Sequence, residues 1–169
     1  LVKIVLPPEA SKVEATVRML GFGKVADNTI LYMNRAAEDA ASKATPIFIN
    51  AIKNMSIQDG IAIVQGGNDA ATNFLKAKTK TSAELTAELK PVIEKSLNQY
   101  NAANYWNQLF SIYNKLPTTQ TPINPDLSGY VTERALKGLF LTISQEENKI
   151  RTDPTARITT LLQKVFGGK

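Results

Sequence analysis

The chain contains no cysteine and no histidine, and a single tryptophan, Trp106, among 169 residues. Without cysteine there are no disulfides, no thiolate nucleophile, no iron–sulfur cluster and no zinc finger. Without histidine the commonest general base, the Ser-His-Asp triad and imidazole metal ligands are excluded as well. Long apolar runs are missing too, since none approaches the eighteen or so residues that a membrane span needs. For metals this leaves carboxylate and carbonyl oxygens, suited to calcium or magnesium, and the EF-hand loop pattern that would organise them is absent. What is present is an ordinary globular composition, 43 % hydrophobic and 21 % charged. A chain of this length buries roughly 70 % of its unfolded surface, enough for a core without covalent staples.

The net charge of +5 is spread evenly, with 10 basic and 8 acidic residues in 1–85 and 10 and 7 in 86–169. Lysines outnumber arginines 15 to 5, whereas base reading and bidentate phosphate contacts favour arginine. No specific nucleic-acid partner is therefore expected. The densest basic stretch, Lys76, Lys78 and Lys80, reads as a solvated helix end and loop, with nonspecific attraction to anionic polymers or lipid surfaces as the alternative.

The apolar pattern is helical almost throughout. Residues 1–8, with the run LVKIVL closed by Pro7 and Pro8, have no second strand to pair with and read as an extended strap on the body. A first helix runs to Leu20 before Gly21 and Gly23, and a second covers about 24–42. Thr45 and Pro46 look like a cap and first position of a third helix carrying Ile47, Phe48, Ala51, Ile52 and Met55. Ser56 restarts a short helix that Gly66 and Gly67 end, and Asn68 or Asp69 caps the next, to about Ala77. Thr81 and Glu84 match a capping box, and Pro91 predicts a kink or new first turn within the helix that follows. Residues 103–116 concentrate the aromatics, 117–128 hold three of the eight prolines and form one long loop, and 129–151 form the longest helix. Asp153 and Pro154 begin the last helix, with Ile158, Leu161, Leu162, Val165 and Phe166 on its apolar face. The expected fold is all-α: a single compact domain over 1–169, of about eight helices, with a short extended N-terminal strap.

Few residues suggest chemistry. Gly21–Lys24 lacks P-loop spacing and a preceding strand, and reads as a helix end. Gly66–Asp69 would expose backbone amides at a helix N-terminus, where an anion can sit, although Asp69 would repel it while capping the helix. Glu147 lies at the edge of an apolar stripe, four residues after Ile143 and three before Ile150, so its carboxylate needs a Lys or Arg partner or partial hydration. Paired carboxylates from different helices would give acid–base chemistry. Tyr105, Trp106, Phe110 and Tyr113 read as core packing, with the wall of a pocket for an apolar ligand as the alternative.

The order of several segments resembles a bacterial family described as domain of unknown function 4197. Those segments are Leu31–Glu38 (LYMNRAAE), Pro46–Phe48 with Ala51–Lys53, Met55–Asp59 and Gly66–Thr72. The clearest block is Asn124–Leu127, Tyr130–Glu133 and Ala135–Phe140, followed by Glu146 and Glu147, Ile150 and Arg151, Asp153 and Pro154, and Leu161–Gly167. The likeness covers nearly the whole chain and departs at the threonine-rich stretch 118–121 and at Lys76–Lys80. It implies an all-helical exported protein of the periplasm or cell envelope, made with a signal sequence since removed. The chain's start at Leu1 rather than methionine fits a processed or trimmed product. No catalytic residue and no cofactor carry over.

Polar residues within the matching motifs, Asn34, Arg35, Glu38, Asp69, Thr72, Tyr130, Glu133 and Arg151, are the ligand-binding candidates, expected to share one polar site. The leading expectation is a non-enzymatic domain that binds an envelope protein or a small apolar ligand. A carboxylate- and lysine-based hydrolase and a binder of anionic surfaces are the alternatives. No metal site is expected.

Overall fold

The computed structural model describes residues 3–7, 11–78, 83–115 and 126–167. Among them are eight α-helices: α1 (Ser11–Met19), α2 (Gly23–Lys53), α3 (Ile57–Gln65), α4 (Ala70–Lys78), α5 (Ala83–Gln99), α6 (Ala102–Asn114), α7 (Leu127–Thr152) and α8 (Thr160–Phe166). A 3-10 turn at Pro154–Ala156 links the last two. The all-α expectation holds, and none of these helices is long and apolar enough to cross a membrane.

The centre of the fold is α2, which packs against α1, α5, α6 and α7. Its buried face carries Ala26, Thr29, Met33, Ala36, Ala37, Ala40, Ala44 and Ala51, a stripe at three- and four-residue spacing in which small side chains let neighbouring helices approach closely. Against it α5 sets Leu85, Leu89, Ile93 and Leu97, and α6 sets Trp106, Leu109 and Phe110, all in one cluster with Val13 and Val17 of α1 and Val131 of α7. Each large side chain so buried contributes about 1.5–3 kcal/mol.

Three expectations about helix boundaries are corrected. Pro46 does not open a new helix; α2 runs through it without interruption for 31 residues and is longer than α7. Proline removes one ladder bond and crowds the preceding turn, but Pro46 is exposed, and the buried stripe continues past it from Ala44 to Ala51. Packing on that face outweighs the local cost. Pro91, also exposed, opens no new first turn and lies inside α5, which continues across it. Asp153 and Pro154 begin only the 3-10 turn, and the last helix starts at Thr160, where Thr159 accepts a hydrogen bond from Leu162 N. Thr81, and with it the proposed capping box, lies outside the described residues, as does most of the long loop; Leu127 and Ser128 belong to α7.

The strap packs as the sequence suggests. Ile4 and Leu6 are buried and Val5 between them is exposed, the alternation of an extended segment. Asn34 grips its backbone: Oδ1 accepts from Ile4 N and Nδ2 donates to Ile4 O, both at 2.8 Å. From α7, the Tyr130 hydroxyl donates to Val5 O at 2.7 Å. Asn34→Ala removes both Ile4 bonds and is expected to cost about 1–3 kcal/mol. Hydrogen exchange at the Ile4 amide should rise well before global unfolding, and unchanged exchange there would show that Asn34 does not hold the strap.

Candidate functional site

The site forms where α3 and α4 meet α7. Ser56 opens α3 with a capping box: its Oγ accepts from Asp59 N at 3.1 Å and Asp59 Oδ2 accepts from Ser56 N at 3.0 Å. The helix ends at Gly66, where an added Cβ would lie 2.7 Å from both Ala62 O and Ala70 Cβ. No larger residue lets the chain turn this tightly into α4. Asp69 completes the turn in the left-handed region, φ 66°, which Asp tolerates better than most residues.

Two adjacent helix ends thus point at α7, one presenting carbonyls and the other amides, and α7 answers with an ion pair. Glu147 Oε1 accepts from Ala71 N and Oε2 from Thr72 N, each at 2.9 Å, with Thr72 Oγ1 donating to Oε2 at 2.7 Å. One turn later Arg151 donates through Nε and Nη2 to Glu147 Oε1 at 2.9 and 2.8 Å, through Nη1 to Gly66 O at 3.1 Å and through Nη2 to Ile63 O at 2.7 Å. The anion therefore caps the amide end of α4 and the cation caps the carbonyl end of α3, each matching the helix dipole it faces. Both side chains are about 90 % buried, at 8 % and 10 % exposure. Burial alone would raise the Glu147 carboxyl, and it is the largest single influence. The bonds from Ala71, Thr72 and Arg151 together outweigh it and hold the group below the usual carboxylate range.

Asp69 does not cap α4 with its side chain as expected. Its Oδ1 accepts from Ser144 Oγ and, at 3.3 Å, from Asn148 Nδ2, both on α7. The amides it would have capped belong to Glu147, so the anion foreseen at this helix end comes from within the chain.

Beside this clamp is a cavity of about 420 Å³, open on one side, with almost wholly apolar walls. Ile63 of α3 and Ala71 of α4 line one side, Ile143 and Ile150 of α7 the base, and Leu162 and Phe166 of α8 the other. Glu147 and Arg151 form its floor, with the Arg151 guanidinium 5.3 Å from the Phe166 ring centre. At the rim, Glu146 pairs with Lys149 at 2.6 Å. Neither α3 nor α8 has a buried residue; Ile63, Leu162 and Phe166 look onto this space, while Ile57, Ile61 and Leu161 are exposed. Arg157 ties the approach to α8 down, donating to Ile150 O and Arg151 O at 2.9 Å.

The eight candidates do not gather in one place. Asp69, Thr72 and Arg151 come together here through α7. Asn34 and Tyr130 meet at the strap instead. Arg35 lies over the Tyr100 ring at 5.5 Å, and Glu38 and Glu133 are exposed. Trp106 and Phe110 are buried in the core, 4.3 Å between ring centres, and the cavity's walls come from other helices. Lys78 pairs with Asp59 at 3.4 Å and Lys76 lies 5.5 Å from the Phe140 ring centre, while Lys80 is outside the described residues. No cluster of three or more Asp or Glu side chains suited to a metal ion occurs among the described residues.

The expected Lys or Arg partner of Glu147 is Arg151, but Glu147, the centre of the clamp, and the cavity residues Ile63, Leu162 and Phe166 are not among the eight ligand-binding candidates. The available signal for Glu147 was a carboxylate at the edge of an apolar stripe with arginine four residues on. For the others it was two short apolar helices bounded by glycine.

The described residues thus form an all-helical domain with an internally neutralised polar clamp beside an apolar cavity. A family model described as "Protein of unknown function (DUF4197)" matches residues 1–167, and the chain belongs to that family. No curated protein and no solved structure matches the chain.

Proposed function

We propose that this protein is a non-enzymatic binding module of the bacterial cell envelope, and that it holds a small apolar ligand in the cavity between α3, α4, α7 and α8. The observation that carries this reading is the cavity itself: about 420 Å³ lies within the range of ordinary ligand pockets, roughly 300–1,000 Å³. Binding also fits the state of the charged groups around it. Glu147 and Arg151 are committed to each other and to two helix ends, and Glu146 is paired with Lys149, which favours holding a molecule over moving a proton. The envelope location rests on the family likeness to exported proteins.

Native mass spectrometry of protein purified from its own host tests the binding reading. A retained low-mass adduct, lost when Leu162→Trp narrows the cavity, is the expected result. A protein at bare mass in both forms would argue for a purely structural role. Fractionation of the same cells tests the location, with recovery in the cytosolic fraction the contrary outcome.

A further inference from the structure

The cavity's dimensions and its neutralised floor together restrict what it can hold. Its lining along α7 runs from Thr142 to Arg151, a rise of roughly 14 Å at 1.5 Å per residue. A space of that length, lined almost wholly by apolar side chains, suits one extended hydrocarbon chain. Benzene occupies an engineered cavity of about 150 Å³, and on that scale the space takes roughly seventeen carbons at most. The α7 length sets about twelve as the extended minimum.

Charge narrows the class further. Both Glu147 oxygens are occupied, by Ala71 N and the Arg151 guanidinium on one side and by Thr72 on the other. Every guanidinium nitrogen of Arg151 already donates, to Glu147, Gly66 O or Ile63 O. A ligand carboxylate at the floor meets Glu147 and a guanidinium whose charge Glu147 already balances. The rim adds no net charge, because Glu146 and Lys149 are paired.

From these observations we infer that the ligand is a single-chain, uncharged hydrocarbon compound of about twelve to sixteen carbons, its tail lying along α7 between α3 and α8. This rests on the binding function proposed above. The tail meets Ile143, Ile150, Leu162 and Phe166, and an uncharged polar end stays at the open side.

Displacement of a fluorescent apolar probe, 1-aminoanthracene, from the full chain tests it. Competitors are octanol, dodecanol, hexadecanol and eicosanol, with dodecanoate as the charged counterpart. Affinity is expected to rise about fourfold per added methylene from octanol to dodecanol, to level off by hexadecanol and to gain nothing at eicosanol. Dodecanoate at neutral pH is expected to bind at least about tenfold more weakly than dodecanol, because neither the floor nor the rim offers an unbalanced positive charge to offset partial desolvation of the ionised head. Leu162→Trp, on a helix with no buried residue, should abolish alkanol binding with the helical circular dichroism retained. Ile143→Phe is the second blocking variant should the first disturb α8. Equal or tighter binding of the carboxylate, or affinity that climbs through eicosanol or ignores chain length, overturns the inference. A charged or polycyclic adduct recovered from the host would overturn it while leaving the binding function intact. Absence of both adduct and alkanol binding overturns both.

Discussion

Glu147→Ala is expected to lower the unfolding free energy by about 3–5 kcal/mol and Tm by on the order of 10 °C. The substitution does more than delete a contact. It leaves the Arg151 guanidinium buried without a counter-charge, and leaves Ala71 N and Thr72 N at the head of α4 without their acceptor. Against a total stability of about 5–15 kcal/mol, that is enough to detach the α3–α4 pair from α7. Urea denaturation measures the loss. The double variant Glu147→Leu/Arg151→Met should recover part of it, because removing both charges together spares the cost of an orphaned one. A double variant as unstable as the sum of the singles would show that the two residues do not act as a pair.

The same carboxylate gives the clamp a defined pH dependence. Its folded-state pKa lies below the unfolded value, so its stabilisation is complete above the ordinary glutamate pKa of about 4.3. It is then lost as acidification passes through the lower folded value. Asp59, Asp126 and Asp153 are lowered in the same direction, chiefly by the bonds they accept from Ser56 N, Gly129 N and Thr155 Oγ1. Their effect is common to wild type and variant. Comparison with Glu147→Gln isolates the clamp: the stability gap between the two should close on moving from neutral pH to pH values below about 4. A gap constant with pH would mean that charge at position 147 is immaterial.

How far the site could be read from the chain depends on which atoms form it. Helix positions follow from side-chain periodicity, and the apolar faces of α5, α6 and α7 emerge where the pattern places them. Pro46 misleads because its local cost is real, whereas the packing that overrides it runs along a small-residue stripe on both sides of it. The clamp is less legible for a different reason. Half its partners are backbone groups, Ala71 N, Thr72 N, Ile63 O and Gly66 O, and backbone groups leave no mark in side-chain identity. Only Gly66, needed for the close approach of α3 to α4, hints at the turn that presents them. The cavity is hidden by the same logic, since an apolar helix face reads identically whether it meets a core or an empty space. That is why α8, with Leu162 and Phe166, looks like one more packing helix.

The aromatic cluster of α6 is the place where those two uses of an apolar surface can be separated by experiment. Trp106 is 1 % exposed, 4.3 Å from Phe110 and 5.7 Å from Tyr130 between ring centres. Truncation to alanine there combines lost transfer energy with a cavity that the surrounding helices cannot fully close, and Trp106→Ala is expected to cost about 3–5 kcal/mol. That cost should appear as a fall in the urea midpoint with little change in slope, because the surface exposed on unfolding is nearly the same. Ligand affinity, measured by displacement of the apolar probe at a temperature where the variant is still folded, should stay within about twofold of wild type, since no wall of the α3–α8 cavity comes from α6. Loss of probe binding in a folded Trp106→Ala protein would move the ligand wall to Tyr105, Trp106 and Phe110. In that case the space beside Glu147 and Arg151 would be a gap in packing over which the clamp merely holds α3 and α4 in place.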